Sequence, residues 1–392
     1  MVRHIAFDWA ETQLDEFTAI RHDLHRHPET AFEEHRTADI VAKCLESYGI
    51  EVHRGLAKTG VVGVLKNGDS DKSIGLRADM DALDILEQND FSHKSTIPGK
   101  MHGCGHDGHT TMLLAAAKYL AEHKPFDGTV HFIFQPAEEN EGGGRVMVED
   151  GLFDKFKIDS VYGMHNFPGV PLGHFCIQPG PMMAGFDIFE IEVNGVGGHA
   201  AMPHAAVDSV VVASHIVTAL QSIIARSTDP QDAAVVSVTR IEAGHTYNVL
   251  PEKATMAGTV RYFSPDVQNI VEKRMHALCE NVGAAFGAKV KVTYEKRYPP
   301  TLNTEKETQD CQNALRKIAP EDTLNFSPTP SMGAEDFAWM LQEKPGAYVW
   351  AGNGLGSEGG CTVHNPHYDF NDKLIPHGTA YWVNLTTHLL PA

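Results

Sequence analysis

Disulfides are the first thing this chain lacks. Its six cysteines, Cys44, Cys104, Cys176, Cys279, Cys311 and Cys361, are scattered over 392 residues without a C-x-x-C pair. That is the pattern of a reduced, cytoplasmic protein rather than of a cross-linked secreted scaffold. Basic residues are scarce as well: 32 Lys and Arg stand against 51 Asp and Glu, a formal net charge of −19. Such an excess of negative charge excludes nucleic acid and anionic membrane surfaces as expected partners. No apolar run is long enough to span a bilayer. The opening residues, M-V-R-H-I-A-F-D-W-A-E-T, meet Asp8 and Glu11 before an apolar segment forms, so no signal peptide is expected. Repeats and low-complexity tracts are missing too. What is left is a soluble globular composition in a chain too long for one ordinary core, and two domains are expected.

What the chain does have is concentrated. Met101 to His109 reads M-H-G-C-G-H-D-G-H, and Q-P-A-E-E follows at 135–139. Cys104 and His106 are borderline-soft ligands spaced so that both reach one ion. Glu138 and Glu139 supply one hard ligand and one uncommitted base. Together they are the equipment of a metal-dependent hydrolase. An isolated Cys or His is more often a buried core residue. A Gly-rich run, however, has little apolar periodicity to bury.

Hydrophobic periodicity places these residues on a framework. Ile40, Val41, Cys44, Leu45 and Tyr48 mark one face of a helix that Gly49 stops. Val61 to Leu65 and Ile74 to Ala78 read as strands, the second delivering Asp79 and Asp81. Thr110 to Glu122 is helical, Thr129 to Phe134 is a strand, and Val161 to Met164 is a strand that delivers His165. Strands alternating with helices imply an α/β domain with a mainly parallel sheet, and its ligands belong at the carboxyl ends of strands. From about Gly185 the order becomes β-α-β-β-α-β, the ferredoxin-like α+β pattern. Pro179 to Pro181 and Pro299-Pro300 flank it like hinges. The expected organisation is a catalytic domain over 1–184 and 298–392, with an inserted lid domain over 185–297.

M-H-G-C-G-H-D-G-H-T, F-Q-P-A-E-E, G-M-H-N, G-G-H-A-A-M-P-H, Y-N-V-L-P-E, G-T-V-R, M-G-A-E-D-F and V-H-N-P-H-Y-D-F-N-D occur in that order over nearly the whole chain. Together they resemble the M20 metallopeptidase family, in its aminoacylase, hippurate hydrolase and indoleacetyl-amino-acid hydrolase branch. The resemblance implies a dinuclear-metal catalytic domain that cleaves the amide of a small-molecule N-acyl amino acid. It implies two divalent ions per subunit (Mn, Zn, Co or Ni), with Cys104, His106, Glu139, His165 and His364 as ligands. From the residues alone His364 and His367 are equal candidates, and the family frame favours His364. The resemblance further implies Glu138 as general base and Asp79 as the residue orienting a ligand. His199 would act as the oxyanion donor, with Asn248 and Arg261 contacting substrate. A homodimer joined through the lid domain is the implied assembly.

One departure stands out. Arg77-Ala-Asp79 occupies the strand end where many family members carry His-x-Asp, so that first ligand is missing and the Cys104/His106 pair replaces it. This weighs against a dipeptidase or carboxypeptidase on the same scaffold. A metal-binding homologue without catalysis has no need of Glu138 beside Glu139, and a Cys104 nucleophile would leave the remaining ligands unexplained.

Overall fold

Every residue of the strand Ser73–Asp79 is buried, because it lies inside an eight-stranded sheet. In the computed structural model, which describes residues 5–139 and 141–392, this sheet begins with β1 (Glu51–Leu56), β2 (Gly60–Asn67), β3 (Ser73–Asp79), β4 (Gly128–Gln135) and β5 (Ser160–Pro168). The spatial order is β1-β2-β4-β3-β5, continued by the strands Gly346–Gly354, Phe175–Cys176 and Leu324–Asn325.

The sheet is mixed, with four of its seven pairings parallel. β3 pairs parallel with β4 and β5, Gly346–Gly354 pairs parallel with β5, and Leu324–Asn325 pairs parallel with Phe175–Cys176. β1 with β2, β2 with β4, and Phe175–Cys176 with Gly346–Gly354 are antiparallel. The cause at one margin is local. Ala57 and Lys58, between β1 and β2, both take the left-handed backbone (φ 47° and 67°) that a tight hairpin requires.

The helix Leu14–Arg26, the helix His35–Ser47, the helix His106–His123 and the C-terminal helix Ile375–Leu389 build the core around this sheet. His106–His123 is buried on nearly all sides, through Met112, Leu113, Leu114, Ala116 and Ala117 among others. It begins four residues earlier than periodicity suggests, so His106 sits on its first turn.

The chain divides into two units. One comprises Met1–Met182, Leu302–Thr329 and Asp336–Ala392; the other comprises Met183–Thr301 and Pro330–Glu335. The short return to the second unit is held by backbone, Ala184 N donating to Ser331 O and Gly333 O, each at 3.0 Å. That unit carries a four-stranded antiparallel sheet in the order Ala234–Ala243, Lys253–Tyr262, Gly185–Asn194, Lys289–Tyr298. The helices Ser209–Ser227 and Pro265–Phe286 pack on it around Ile191, Ile216, Leu220, Met256 and Val271. Asp208 caps the first helix by accepting from Val210 N at 2.9 Å. By length and composition that helix could cross a membrane. Here Val212, Ala213, Ile216, Leu220 and Ile223 form its buried stripe.

Candidate metal centre

Because β3, β4 and β5 run parallel, their carboxyl ends open on one edge of the sheet. β3 ends at Asp79, with Asp81 just beyond; β4 turns through Pro136 into Glu138-Glu139; β5 carries His165. Cys104 and His106 arrive through a loop that only glycine can make. A Cβ at Gly105 (φ 95°) would lie 2.3 Å from Asn166 Oδ1, and one at Gly108 would lie 2.3 Å from the Phe370 ring.

The side chains converge. Cys104 Sγ is 3.4 Å from His165 Nε2. His106 Nε2 lies 3.8 Å from Asp79 Oδ2 and 3.8 Å from Glu139 Oε1. His364 Nε2 is 3.2 Å from Glu139 Oε2. The ligand atoms form overlapping sets, each within 4.8 Å: Cys104/His106/His165, Cys104/Glu139/His364 and His106/Glu138/Glu139. The five residues named as ligands and Glu138 therefore share one cluster. His367 belongs to none of these sets.

Two features show that the residues fit a pair of divalent ions. Among the described residues His106 Nε2 and Glu139 Oε1 are buried without a hydrogen-bond partner, a costly state that a bound cation would relieve. His106 Nδ1, meanwhile, is 3.1 Å from Asp81 Oδ1. A ring proton given to Asp81 from Nδ1 would leave Nε2 free to face a bound cation, the usual carboxylate support of a histidine ligand. Thiolate, imidazole and carboxylate donors suit Zn, Mn, Co and Ni.

The electrostatics agree. Burial opposes a charged His106 ring, yet Asp79, Asp81 and Glu139 outweigh it and hold its pKa up at about 10. Burial, then Glu139, Glu138 and Asp79, push the Cys104 thiol well above its usual range. Burial and the neighbouring His109 push His165 well below. A site this rich in negative charge demands cationic compensation.

A second layer fixes the first. Asp81 accepts from Glu139 N at 3.0 Å through its other oxygen, so one carboxylate positions both the His106 ring and the Glu139 backbone. Asp79 Oδ1 is 2.6 Å from His109 Nδ1, and His109 Nε2 is 2.7 Å from Asn166 Oδ1. Burial would raise Asp79, but His106, Arg77 and His109 hold it well below the usual carboxylate range. Asp336 N donates to Glu138 Oε1 at 3.3 Å. The Asp336 carboxylate takes Gln135 Nε2 at 2.8 Å, Gly144 N at 2.7 Å and Arg77 Nη2 at 3.0 Å. Sequence reasoning gave Asp81 and Asp336 no role at the site. Asp81 could have been found from its place two residues beyond Asp79 at a strand end.

Three further residues lie in the second unit. His199, exposed, pairs across a short ribbon with Val249, next to the exposed Asn248; Ala200 N donates to Asn248 O at 3.0 Å. Arg261 is half-buried with its guanidinium 4.1 Å over the Phe186 ring, and among the described residues no acid pairs with it.

The family model for peptidase family M20/M25/M40 matches residues 75–388. The chain belongs to this family and is a metal-dependent hydrolase with a dinuclear metal site. It is 42% identical to the hippurate hydrolase of Campylobacter jejuni, over 96% of this chain and 97% of that one. It is 36% identical to IAA-amino acid hydrolase ILR1-like 2 of Arabidopsis thaliana, over 98% of this chain and 86% of the relative. Its fold is that of the YXEP protein of Bacillus subtilis, described as a dinuclear metal binding peptidase from the M20 family. That match has a TM-score of 0.84 and 32% identity, covering 97% of this chain and 99% of the other.

Proposed function

We propose that this protein hydrolyses the amide bond of N-acyl amino acids, releasing a carboxylic acid and a free amino acid. The carrying observation is the cluster itself: Cys104, His106, Glu139, His165 and His364 fall in overlapping sets of candidate ligand atoms, each within 4.8 Å, with Glu138 beside them accepting from Asp336 N at 3.3 Å. Relatives named for hippurate and for IAA-amino acids, matched over most of both chains, support this substrate class.

Cys104, His106, Glu139, His165 and His364 would hold the divalent ions, which when bound would supply Lewis acidity. Glu138 takes the proton from attacking water and delivers it to the leaving amine. His199 donates to the oxyanion. Arg261, which has no acidic partner among the described residues, takes the free carboxylate of the amino acid bidentately, and Asn248 hydrogen-bonds the substrate.

The protein works as a homodimer joined through the inserted domain. Two surfaces support this. The helix Ser209–Ser227 exposes Val210, Val211, Ser214, Thr218 and Gln221, with Arg226 its one charged residue. The strand Ala234–Ala243 stands at the edge of its sheet with Val235 and Ile241 exposed.

The test is hydrolysis by metal-reconstituted protein of N-acetyl amino acids, hippurate and dipeptides. Acyl amino acids should be cleaved, and chelation should abolish turnover. Glu138→Gln should keep its metal and lose at least about a hundredfold in kcat, while Glu139→Ala should lose metal. Preference for free dipeptides, or full activity in metal-free protein, would overturn the reading.

A further inference from the structure

The turn that carries Glu138 and Glu139 is under backbone strain. Ala137 sits at φ 55°, a left-handed conformation in which an L side chain crowds its own carbonyl. Such a residue persists only where its surroundings determine it. Three contacts pin the turn. Gly143 N donates to Ala137 O at 2.9 Å, and Glu139 N donates to Asp81 Oδ2 at 3.0 Å. The third comes from far away in sequence: Ala137 N donates to Glu34 Oε1 at 3.0 Å.

Glu34 is placed unusually for this. It stands at the N-cap of the helix His35–Ser47 yet makes no side-chain cap. Glu29 satisfies that helix end instead, accepting from Arg36 N at 2.9 Å and Thr37 N at 2.8 Å. The Glu34 carboxylate, fully buried, is thereby left for other work. Oε1 also accepts from Phe32 N at 3.1 Å, and Oε2 accepts from Thr59 Oγ1 at 2.6 Å. Thr59 follows the left-handed pair Ala57-Lys58 of the β1–β2 hairpin, so two turns and a helix start converge on one acid. Burial, together with Asp81 nearby, holds its pKa up at about 7, so the acid is kept where its charge is unfavourable.

We propose that Glu34 is a positioning residue for the hydrolytic site: by accepting the Ala137 N–H it locks the left-handed turn that aims Glu138 and Glu139. The inference rests on reading those two as base and ligand. The acceptor is a carbonyl-type oxygen, so an amide at position 34 can still serve, whereas a methyl cannot. A glycine at 137 adopts the same φ without the Cβ penalty and should need the clamp less.

The experiment compares Glu34→Gln, Glu34→Ala, Ala137→Gly and the Glu34→Ala/Ala137→Gly double variant in the full-length, metal-reconstituted protein. Turnover of Glu34→Ala should fall by roughly ten- to a hundredfold, the scale of a base displaced by about 1 Å, with KM little changed. Glu34→Gln should keep most of kcat. Ala137→Gly should be near wild type and should restore part of the Glu34→Ala loss. In parallel, hydrogen exchange at the Ala137 amide should accelerate in Glu34→Ala and stay slow in Glu34→Gln. Unchanged exchange in Glu34→Ala overturns the clamp. So does an equal loss of kcat in the Gln and Ala variants without recovery by Ala137→Gly, the signature of a role in stability alone. A fully active Glu138→Gln protein would instead refute the assignment of the base, and the exchange comparison would still decide the clamp.

Discussion

Arg77 donates from Nη1 to Asp79 Oδ2 at 2.7 Å, and its other terminal nitrogen reaches Asp336 Oδ1 at 3.0 Å. The residue standing where a histidine ligand would precede the aspartate is thus a buried cation tying two carboxylates together. One of them, Asp79, orients His109 and faces His106; the other carries the backbone N–H that meets Glu138. Arg77 is thus an internal counter-charge beside the Cys104/His106 cluster.

Replacing Arg77 by Met should therefore remove the cation that Asp79 and Asp336 share in a buried site. We expect a loss of about 3–5 kcal/mol in stability, the scale for removing one partner of a buried ion pair. Lys at this position should recover little, because a single ammonium cannot span both carboxylates and Gln135 as the guanidinium fork does. Chemical denaturation of the three proteins checks this. A midpoint for Arg77→Met equal to wild type would show the pair to be dispensable.

Asp81→Asn should act on metal rather than on folding. Its two oxygens serve His106 Nδ1 and Glu139 N, and an amide can present an acceptor to only one of them. Loss of such supporting carboxylates costs about 10- to 100-fold in metal affinity. Competition with a chelator of known affinity reads the effect. An unchanged affinity would mean that the ligands hold their places without Asp81.

Much of this site was legible in the sequence because its signals are local. Cys104 and His106 share one short Gly-rich loop, Glu138 and Glu139 are adjacent, and Asp79 and His165 belong to strands with clear apolar runs. The insertion was legible for the same reason, since each of its strands alternates or runs apolar. What periodicity cannot carry is a contact across the chain. Glu34 reaches Ala137 over 103 residues, and Arg77 reaches Asp336 over 259. The antiparallel margin of the sheet cannot be read from periodicity, because β1, whose burial follows no clean alternation, is aligned by its hairpin. His364 could not be separated from His367 by pattern. A left-handed backbone at His364 (φ 62°), with its N donating to Gly103 O at 2.7 Å, places the His364 ring 3.2 Å from Glu139.

His199→Ala should leave metal content intact, because all five proposed ligands lie outside the insertion. Removing an oxyanion donor typically costs about 3–4 kcal/mol in the transition state, so kcat should fall strongly and KM little. If the partner subunit supplies His199, heterodimers of His199→Ala with Glu138→Gln should regain part of the activity. Purified heterodimers without recovery would confine His199 to its own subunit or remove it from catalysis.

Glu34 should make stability fall as pH rises, the opposite of an ordinary paired carboxylate. Burial, opposed by the Thr59 hydroxyl and reinforced by Asp81, holds it at about 7 in the folded protein against 4.5 when unperturbed. Between those values the folded chain keeps a proton that the unfolded chain has released. The group's contribution is therefore fully present below about pH 4.5 and is lost as pH climbs through 7. The interval from 4.5 to about 7 corresponds to on the order of 3 kcal/mol. Glutamine titrates nothing here and still offers an acceptor to Ala137 N. The stability of metal-free Glu34→Gln relative to metal-free wild type should accordingly grow from pH 5 to pH 8, measured by denaturant titration at each pH. A difference that stays flat would show that Glu34 ionises normally. A rising difference would mean that the wild-type protein tolerates a destabilising acid at neutral pH, next to the turn that carries its base.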